Sequence, residues 1–442
     1  MKPQLFDFID VIIGSAWIIL IVIIGWTIYL KNKDRGYYKF FLPNLLFKLF
    51  FGLFFGITYS IILSEGGDTL AYWEGAYNLN QLFWESPWDY FQELFITPDQ
   101  STITEHFNRE TGYPPIWIYR EPESFFVCKI LSVFTFFTLN SYIALTIVCA
   151  GISAYASWRL FTLVKDFEFC PQWVLIIACL FLPTVAFWCS GISKDTFVLS
   201  SLYLLVFQLF TMIQRKRKLN PWNIFLVVFH VFILYHLRSF MLIAVFGPLI
   251  FAFTVKIFAR ISSNQILAFS LRLVLFSSLL FAAFGYLSSD QFISNNPYLK
   301  EVTVIQQDFA QNVTYTGYRY DLGINDYTPQ GMLAAAPMAL ITAFFRPFLW
   351  EANSVFLLVS ALEGTILLFF VFRFFFLNGN IFKHLNYIRK QEFLVFSIIF
   401  VLLLGFFVGF SSGLFNVLVR FKAPLMVFLF IFFASRRPKF IG

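Results

Sequence analysis

"FIDVIIGSAWIILIVIIGWTIYLKNKDR", Phe8 to Arg35, is a long apolar run that ends abruptly on a cluster of bases. A bilayer core needs about 20 apolar residues per helix, and Phe8–Leu30 supplies that length with Asp10 as its one charge. Lys2 is the only base ahead of the run, too little for the n-region of a cleavable signal, so the run reads as a first membrane span. The rest of the chain agrees. Of 442 residues, 59% are hydrophobic and only 13% are charged, where soluble domains are charged at about a quarter of positions.

Carrying this reading outward gives eleven candidate spans, near 8–30, 41–63, 141–163, 173–192, 195–213, 222–238, 240–257, 266–288, 353–376, 393–413 and 420–435. Bases fall between them in clusters: Lys31, Lys33, Arg35 and Lys39; Lys165; Arg215, Lys216, Arg217 and Lys218; Lys256 and Arg260; Lys383, Arg389 and Lys390; and Arg436, Arg437 and Lys439. Eleven spans put every cluster on one side, which the positive-inside rule makes the cytoplasm. The N-terminus is then outside and the C-terminus inside. The net charge of +7 therefore belongs to membrane-flanking loops and implies no nucleic-acid partner. The five cysteines lack metal-ligand spacing and read as packing residues.

The expected fold is all-α, a single integral membrane domain over 1–442 with about 11 transmembrane helices. Two extracytoplasmic segments, 64–124 and 289–330, each precede a shorter apolar stretch, Phe125–Leu139 and Gly331–Leu349. Those stretches read as re-entrant or interfacial helices. The first segment is strongly acidic; the second carries Tyr315, Tyr318, Tyr320 and Tyr327.

This topology brings charges from distant turns to one outer boundary: Asp68, Arg120 and Glu121, Lys194 and Asp195, Arg238, Arg346 and Glu351, and Arg420 and Lys422. A charge at a bilayer centre costs at least about 2.5–3.5 kcal/mol, so several boundary turns rich in bases point to a polar outer cavity. Each alone has a plainer role. Lys194 suits a headgroup anchor, and Asp195 suits a helix cap. Glu363 lies deep in its span. His230 and His236, six apart, do not share a helix face, and no metal site is expected.

Such a cavity suits a substrate with a lipid tail and a phosphate head. Lysine and arginine would hold the phosphate, and a carboxylate would take the proton of an acceptor hydroxyl. Tyr72, Trp73, Tyr77, Trp84 and Trp88 would stack on sugar faces or form an interfacial aromatic belt.

The pattern Gly66-Gly67-Asp68-Thr69, followed by Tyr72, Ala76 and Leu79, resembles the acidic motif of GT-C-type membrane glycosyltransferases. The resemblance implies a polyprenyl-phosphate-sugar donor and makes Asp68 the catalytic base. "LPTVAFWCSGISKDTF", Leu182 to Phe197, is similar to a turn in uncharacterised members of such families. "FNVLVRFKAP", from Phe415, resembles the entry to the last span in membrane glycosyltransferases and O-antigen polymerases. Donor-phosphate contacts then fall to Lys194, Arg238, Arg346, Arg420 and Lys422, supported by Tyr72, Arg120, Glu121, Asp195 and Glu351. The expected partners are that donor, a glycan, lipid or protein acceptor of the cell envelope, and membrane lipids. No cofactor is called for, a divalent cation being left open. The expected location is a bacterial inner membrane. In GT-C enzymes the acidic loop follows the first span, whereas here it follows the second. This departure leaves open a polymerase of lipid-linked repeat units, and a transporter or flippase of an anionic lipid-linked precursor is a further alternative.

Overall fold

The computed structural model describes residues 5–63, 67–98, 102–214, 220–261, 318–320, 329–377 and 379–436, with five isolated positions between 267 and 322. Among them every regular element is helical, apart from one isolated antiparallel bridge between Arg319 and Leu414. Among the described residues, eight helices are long and apolar enough to cross a membrane: Phe8–Asn32, Gly36–Ile62, Tyr142–Val164, Lys194–Ile213, Pro221–Arg238, Val355–Leu377, Glu392–Ser411 and Phe415–Phe433.

Three of the eleven expected spans are not among these eight. The expected span 173–192 is broken in two, Gln172–Leu180 and Pro183–Trp188. Leu182 is extended, as a residue before proline prefers, and Pro183 starts the second piece. The expected span 240–257 falls within a helix, Phe240–Ile261, of which Phe240–Thr254 is a shorter apolar stretch among the described side chains. Of the expected span 266–288 only Leu267, Ser270, Leu271 and Val274 are described, and the basic run 215–218, Tyr315 and Tyr327 lie outside the described residues.

The chain forms two compact units, the first comprising 1–166 and 179–242, the second 167–178 and 243–442. In the first, α1 (Phe8–Asn32) and α2 (Phe41–Ile57) lead to a π turn at Thr58–Ile62. Then come α3 (Gly67–Glu85), α4 (Pro87–Phe95), α5 (Ile103–His106), α6 (Ile116–Tyr119), α7 (Pro122–Thr138) and α8 (Tyr142–Val164). Helix α9 (Gln172–Leu180) contains the unit boundary, and α10 (Pro183–Trp188), α11 (Lys194–Gln214) and α12 (Pro221–Arg238) complete the unit.

Small residues set how these helices pack. A Cβ added at Gly14 would meet Ile143, and Ile21 lies against Gly151, so α1 and α8 run parallel. Asn44 donates to the Ala154 carbonyl while Gly56 faces Tyr142, so α2 and α8 run antiparallel. One end of the unit therefore gathers the start of α1, the end of α2 and the start of α8. Asp10 explains its place there. Its buried carboxylate accepts the Ser141 hydroxyl at 2.5 Å and the Ile143 amide at 3.2 Å, capping α8 from a neighbouring helix. The opposite end holds Lys31, Lys39 and Lys165, the last lying 4.3 Å from the Tyr37 ring.

The turn from α7 into α8 places Leu139 and Asn140 in the left-handed region, at φ 51° and 61°, uncommon for residues with a Cβ. Helix α3 secures it: the Trp73 indole donates to the Asn140 carbonyl at 2.9 Å, and Asn80 accepts the Asn140 amide group at 3.1 Å.

Helix α13 (Phe240–Ile261) contains the second unit boundary, and α14 (Pro329–Phe345), α15 (Val355–Phe372), α16 (Ile381–Ile388), α17 (Glu392–Ser411) and α18 (Phe415–Phe433) follow it in the second unit. Helix α14 packs closely on α15 and α17 through Gly364, Gly405 and Gly409.

Candidate functional site

The first unit brings charges together where α11 begins. Ser193 caps this helix, accepting the Thr196 amide at 3.1 Å and donating to the Trp188 carbonyl. That cap leaves the next two side chains to reach other elements. Lys194 forms an ion pair with Glu123 in the first turn of α7. Asp195, 1% exposed, accepts Arg238 Nη2 at 2.6 Å from the last turn of α12. Three helix ends thus meet in four charged groups. Capping, the simple role for Asp195 in sequence, belongs to Ser193.

Asp68 is half-buried in the first turn of α3, where the helix dipole favours a carboxylate. Gly67 before it has φ +48°, and a Cβ there would stand 3.0 Å from the Tyr59 ring. That ring lies 4.8 Å from Phe55 and 6.3 Å from Trp188. Tyr59 therefore connects the start of α3 to the turn that leads into Lys194. Tyr72 and Trp73 are buried and pack inside the unit, whereas Trp84 and Trp88 are exposed. Arg120 and Glu121 are exposed at the head of α7, where Glu121 accepts the Ser124 hydroxyl at 2.8 Å.

A second cluster in this unit escaped sequence reading. Glu93, fully buried on α4, accepts Tyr119 OH at 3.0 Å and lies 2.9 Å from His106 Nδ1, while its Oε2 atom has no hydrogen-bond partner. Lys129 on α7 donates to the Ile96 carbonyl at 2.7 Å. Burial pushes its ammonium down to about 8, against the raising influence of Glu93. Positions 93, 106, 119 and 129 lie on four separate helices, so no helical period in the sequence announces them.

The second unit holds the remaining predicted bases. Arg346 meets Glu351 through Nε at 2.9 and 3.1 Å and through Nη2 at 2.5 Å. Its guanidinium also lies 4.9 Å from the Tyr320 ring and 5.2 Å from the Phe415 ring. Burial raises the Glu351 carboxyl, but Arg346 and the Phe348 amide outweigh it and hold the group below the ordinary carboxylate value. Two backbone bonds, Tyr320 to Gly413 and Phe415 to Tyr318, tie the segment 318–320 to the start of α18. Lys422 is fully buried and donates to the Arg346 carbonyl at 2.8 Å. Glu363 is the carboxylate within its electrostatic reach. Arg420 is half-buried two residues earlier on the same helix.

The predicted residues thus fall into two sets, Asp68, Tyr72, Arg120, Glu121, Lys194, Asp195 and Arg238 in one unit, Arg346, Glu351, Arg420 and Lys422 in the other. Lys194, Arg238 and Arg346 each already face a carboxylate. Among the described residues no group of three or more His, Cys, Asp or Glu could hold a metal ion. No protein-family model matches the chain, and neither does any curated protein or solved structure.

Proposed function

We propose that the chain is a membrane glycosyltransferase that moves a sugar from a polyprenyl-phosphate-linked donor to a cell-envelope acceptor at the outer face of a bacterial inner membrane. The observation that carries this reading is the start of α3. It holds a half-buried carboxylate, Asp68, joined through Tyr59 to the turn that presents Lys194 and the Asp195–Arg238 pair.

In this reading the acceptor oxygen attacks the anomeric carbon and its proton passes to Asp68. The bond from that carbon to the phosphate oxygen breaks, and polyprenyl phosphate leaves with the electron pair. A cation at the leaving phosphate stabilises the charge that develops there. Lys194 suits this role better than Arg238. Its partner Glu123 keeps 49% of its side-chain surface exposed, against 15% for the lysine, so the pair is open on the carboxylate side and the lysine can exchange a carboxylate for a phosphate. Arg238 and Asp195 are sealed, and separating them would strand a buried charge. Arg238 therefore positions α11 and α12, while Arg346, Arg420 and Lys422 remain proposed donor contacts of the second unit.

Asp68→Asn tests the reading, with transfer from a radiolabelled polyprenyl-phosphate sugar as the assay. Loss of a general base lowers the rate by about 10²–10⁴-fold, with expression and membrane insertion unchanged. Undiminished transfer overturns the proposal.

One observation favours a transporter instead. Glu363 is 5% exposed inside a candidate span, within reach of the buried Lys422, and intramembrane ionisable pairs often mark ion or substrate pathways. Under that reading Glu363→Gln abolishes substrate flux, and Asp68→Asn leaves the glycan product intact.

A further inference from the structure

We infer that α4 lies in the headgroup layer of the bilayer, with its aromatic face in lipid, so that the acidic segment after α2 is a cap pressed onto the membrane. The helix is short but sharply two-sided. Trp88, Phe91 and Phe95, on one face, are 71%, 50% and 86% exposed. Tyr90 and Glu93, on the other, are 3% and 0% exposed. Trp84, at the end of α3, adds a fourth exposed ring. The inner face is firmly held, with Tyr90 bonded to Ser132 at 3.1 Å and Glu93 to Tyr119 and His106.

Covalent geometry sets the depth. Leu139 ends α7 only three residues before Tyr142 begins a candidate span, and three residues reach at most about 10 Å. The end of α7 therefore stays at the membrane boundary. Phe136, one turn earlier, packs on Phe83 at 4.8 Å, Tyr90 at 6.0 Å and Trp84 at 6.3 Å. Phe137 and Leu139 are 68% and 69% exposed. The exposed rings of α4 and the end of α3 are thus joined, through Phe83 and Phe136, to the exposed Phe137 and Leu139 just ahead of a span. The same depth is where tryptophan is enriched in membrane proteins.

The occupant is the lipid surface itself, and its charge preference follows from what flanks the face. Glu85 and Asp89 stand beside it, and neither α4 nor the end of α3 carries a base. Anchoring is therefore apolar, and anionic lipid does not strengthen it, in contrast to basic amphipathic helices.

The test places single cysteines at Trp88, Phe91 and Phe95 of the full chain in phosphatidylcholine nanodiscs, with Arg109 as an exposed loop control. All five native cysteines are buried, so spin labelling reports the introduced sites. At 91 and 95 the ratio of oxygen to nickel-chelate accessibility is expected to exceed that at 109, as for side chains sunk about 5–10 Å into the headgroup/acyl boundary. Adding phosphatidylglycerol should leave it unchanged or lower it. Equal ratios at 91, 95 and 109 overturn the proposal, since the face would then be in water or open to a soluble partner. Protection from both reagents with spin–spin broadening at 91 also overturns it, by identifying a second copy of the chain as the occupant. A rise in depth with phosphatidylglycerol overturns the charge assignment. Three independent label sites keep the result readable if one replacement misfolds.

Discussion

Asp195 and Arg238 are 43 positions apart in sequence, share a 2.6 Å ion pair, and have almost no exposed surface. Removing one partner of such a pair costs about 3–5 kcal/mol, because the other charge stays buried. Asp195→Ala should therefore lower the thermal midpoint in detergent strongly, whereas Asp195→Leu combined with Arg238→Met should recover most of the loss. Equal losses in the single and double variants would contradict the assignment. Lys129, outside the candidate spans, gives a pH prediction. Its folded value, about 8, lies below its ordinary 10.5, so between these values the unfolded chain binds more protons and stability rises with pH. Burial raises Tyr90 and Tyr119, and raised tyrosines lose stability as pH climbs past 10, so the rising limb is clearest from pH 8 to 10. Lys129→Met should flatten it in thermal scans. At this scale the sequence was legible only in part. It showed which residues are charged near a boundary, but partners such as Glu123 for Lys194, 71 positions away, follow from the fold that brings the head of α7 to the start of α11.

Helix existence was far more legible, since long apolar runs predict helices by length alone. The break at Leu182 was not, because a hydropathy window averages over a proline and counts two short apolar helices as one crossing. Close helix approach was also hidden, for a glycine in a run of phenylalanines reads as neutral. Gly409 is the clearest case. A Cβ there would stand 2.0 Å from the Ala339 carbonyl oxygen, a backbone atom that cannot rotate away. Gly409→Ala should force α14 from α17 and cost about 1–3 kcal/mol, the usual range for overpacking. Gly379, at φ +77° but with nothing within 4 Å, serves as the contrast, since alanine there meets only backbone strain. A thermal-midpoint loss at 409 no larger than that at 379 would refute the close contact.

At the scale of the whole chain, the low share of charged residues was enough to read a membrane protein, and the length of the apolar runs made it helical. Sidedness is the next step, and the first unit makes it testable. Its helices run so that Asp10 and Tyr142 share one end, with Ser190 of the turn before Lys194 lying further along them beside Gly52 and Ala150, while Lys31, Lys39 and Lys165 share the other end. Bases are retained on the cytoplasmic side during insertion, so the acidic segment after α2 should face outward and the loop after α1 inward. Cysteine at Arg109 should react with a membrane-impermeant maleimide on intact cells, and cysteine at Lys33 only after the membrane is opened. Both positions are exposed, and the native cysteines are all buried, so background labelling is low. The reverse pattern would put Asp68 and Lys194 in the cytoplasm. Transfer from an outward-facing lipid-linked donor would then have no site, even if every distance within the unit were unchanged.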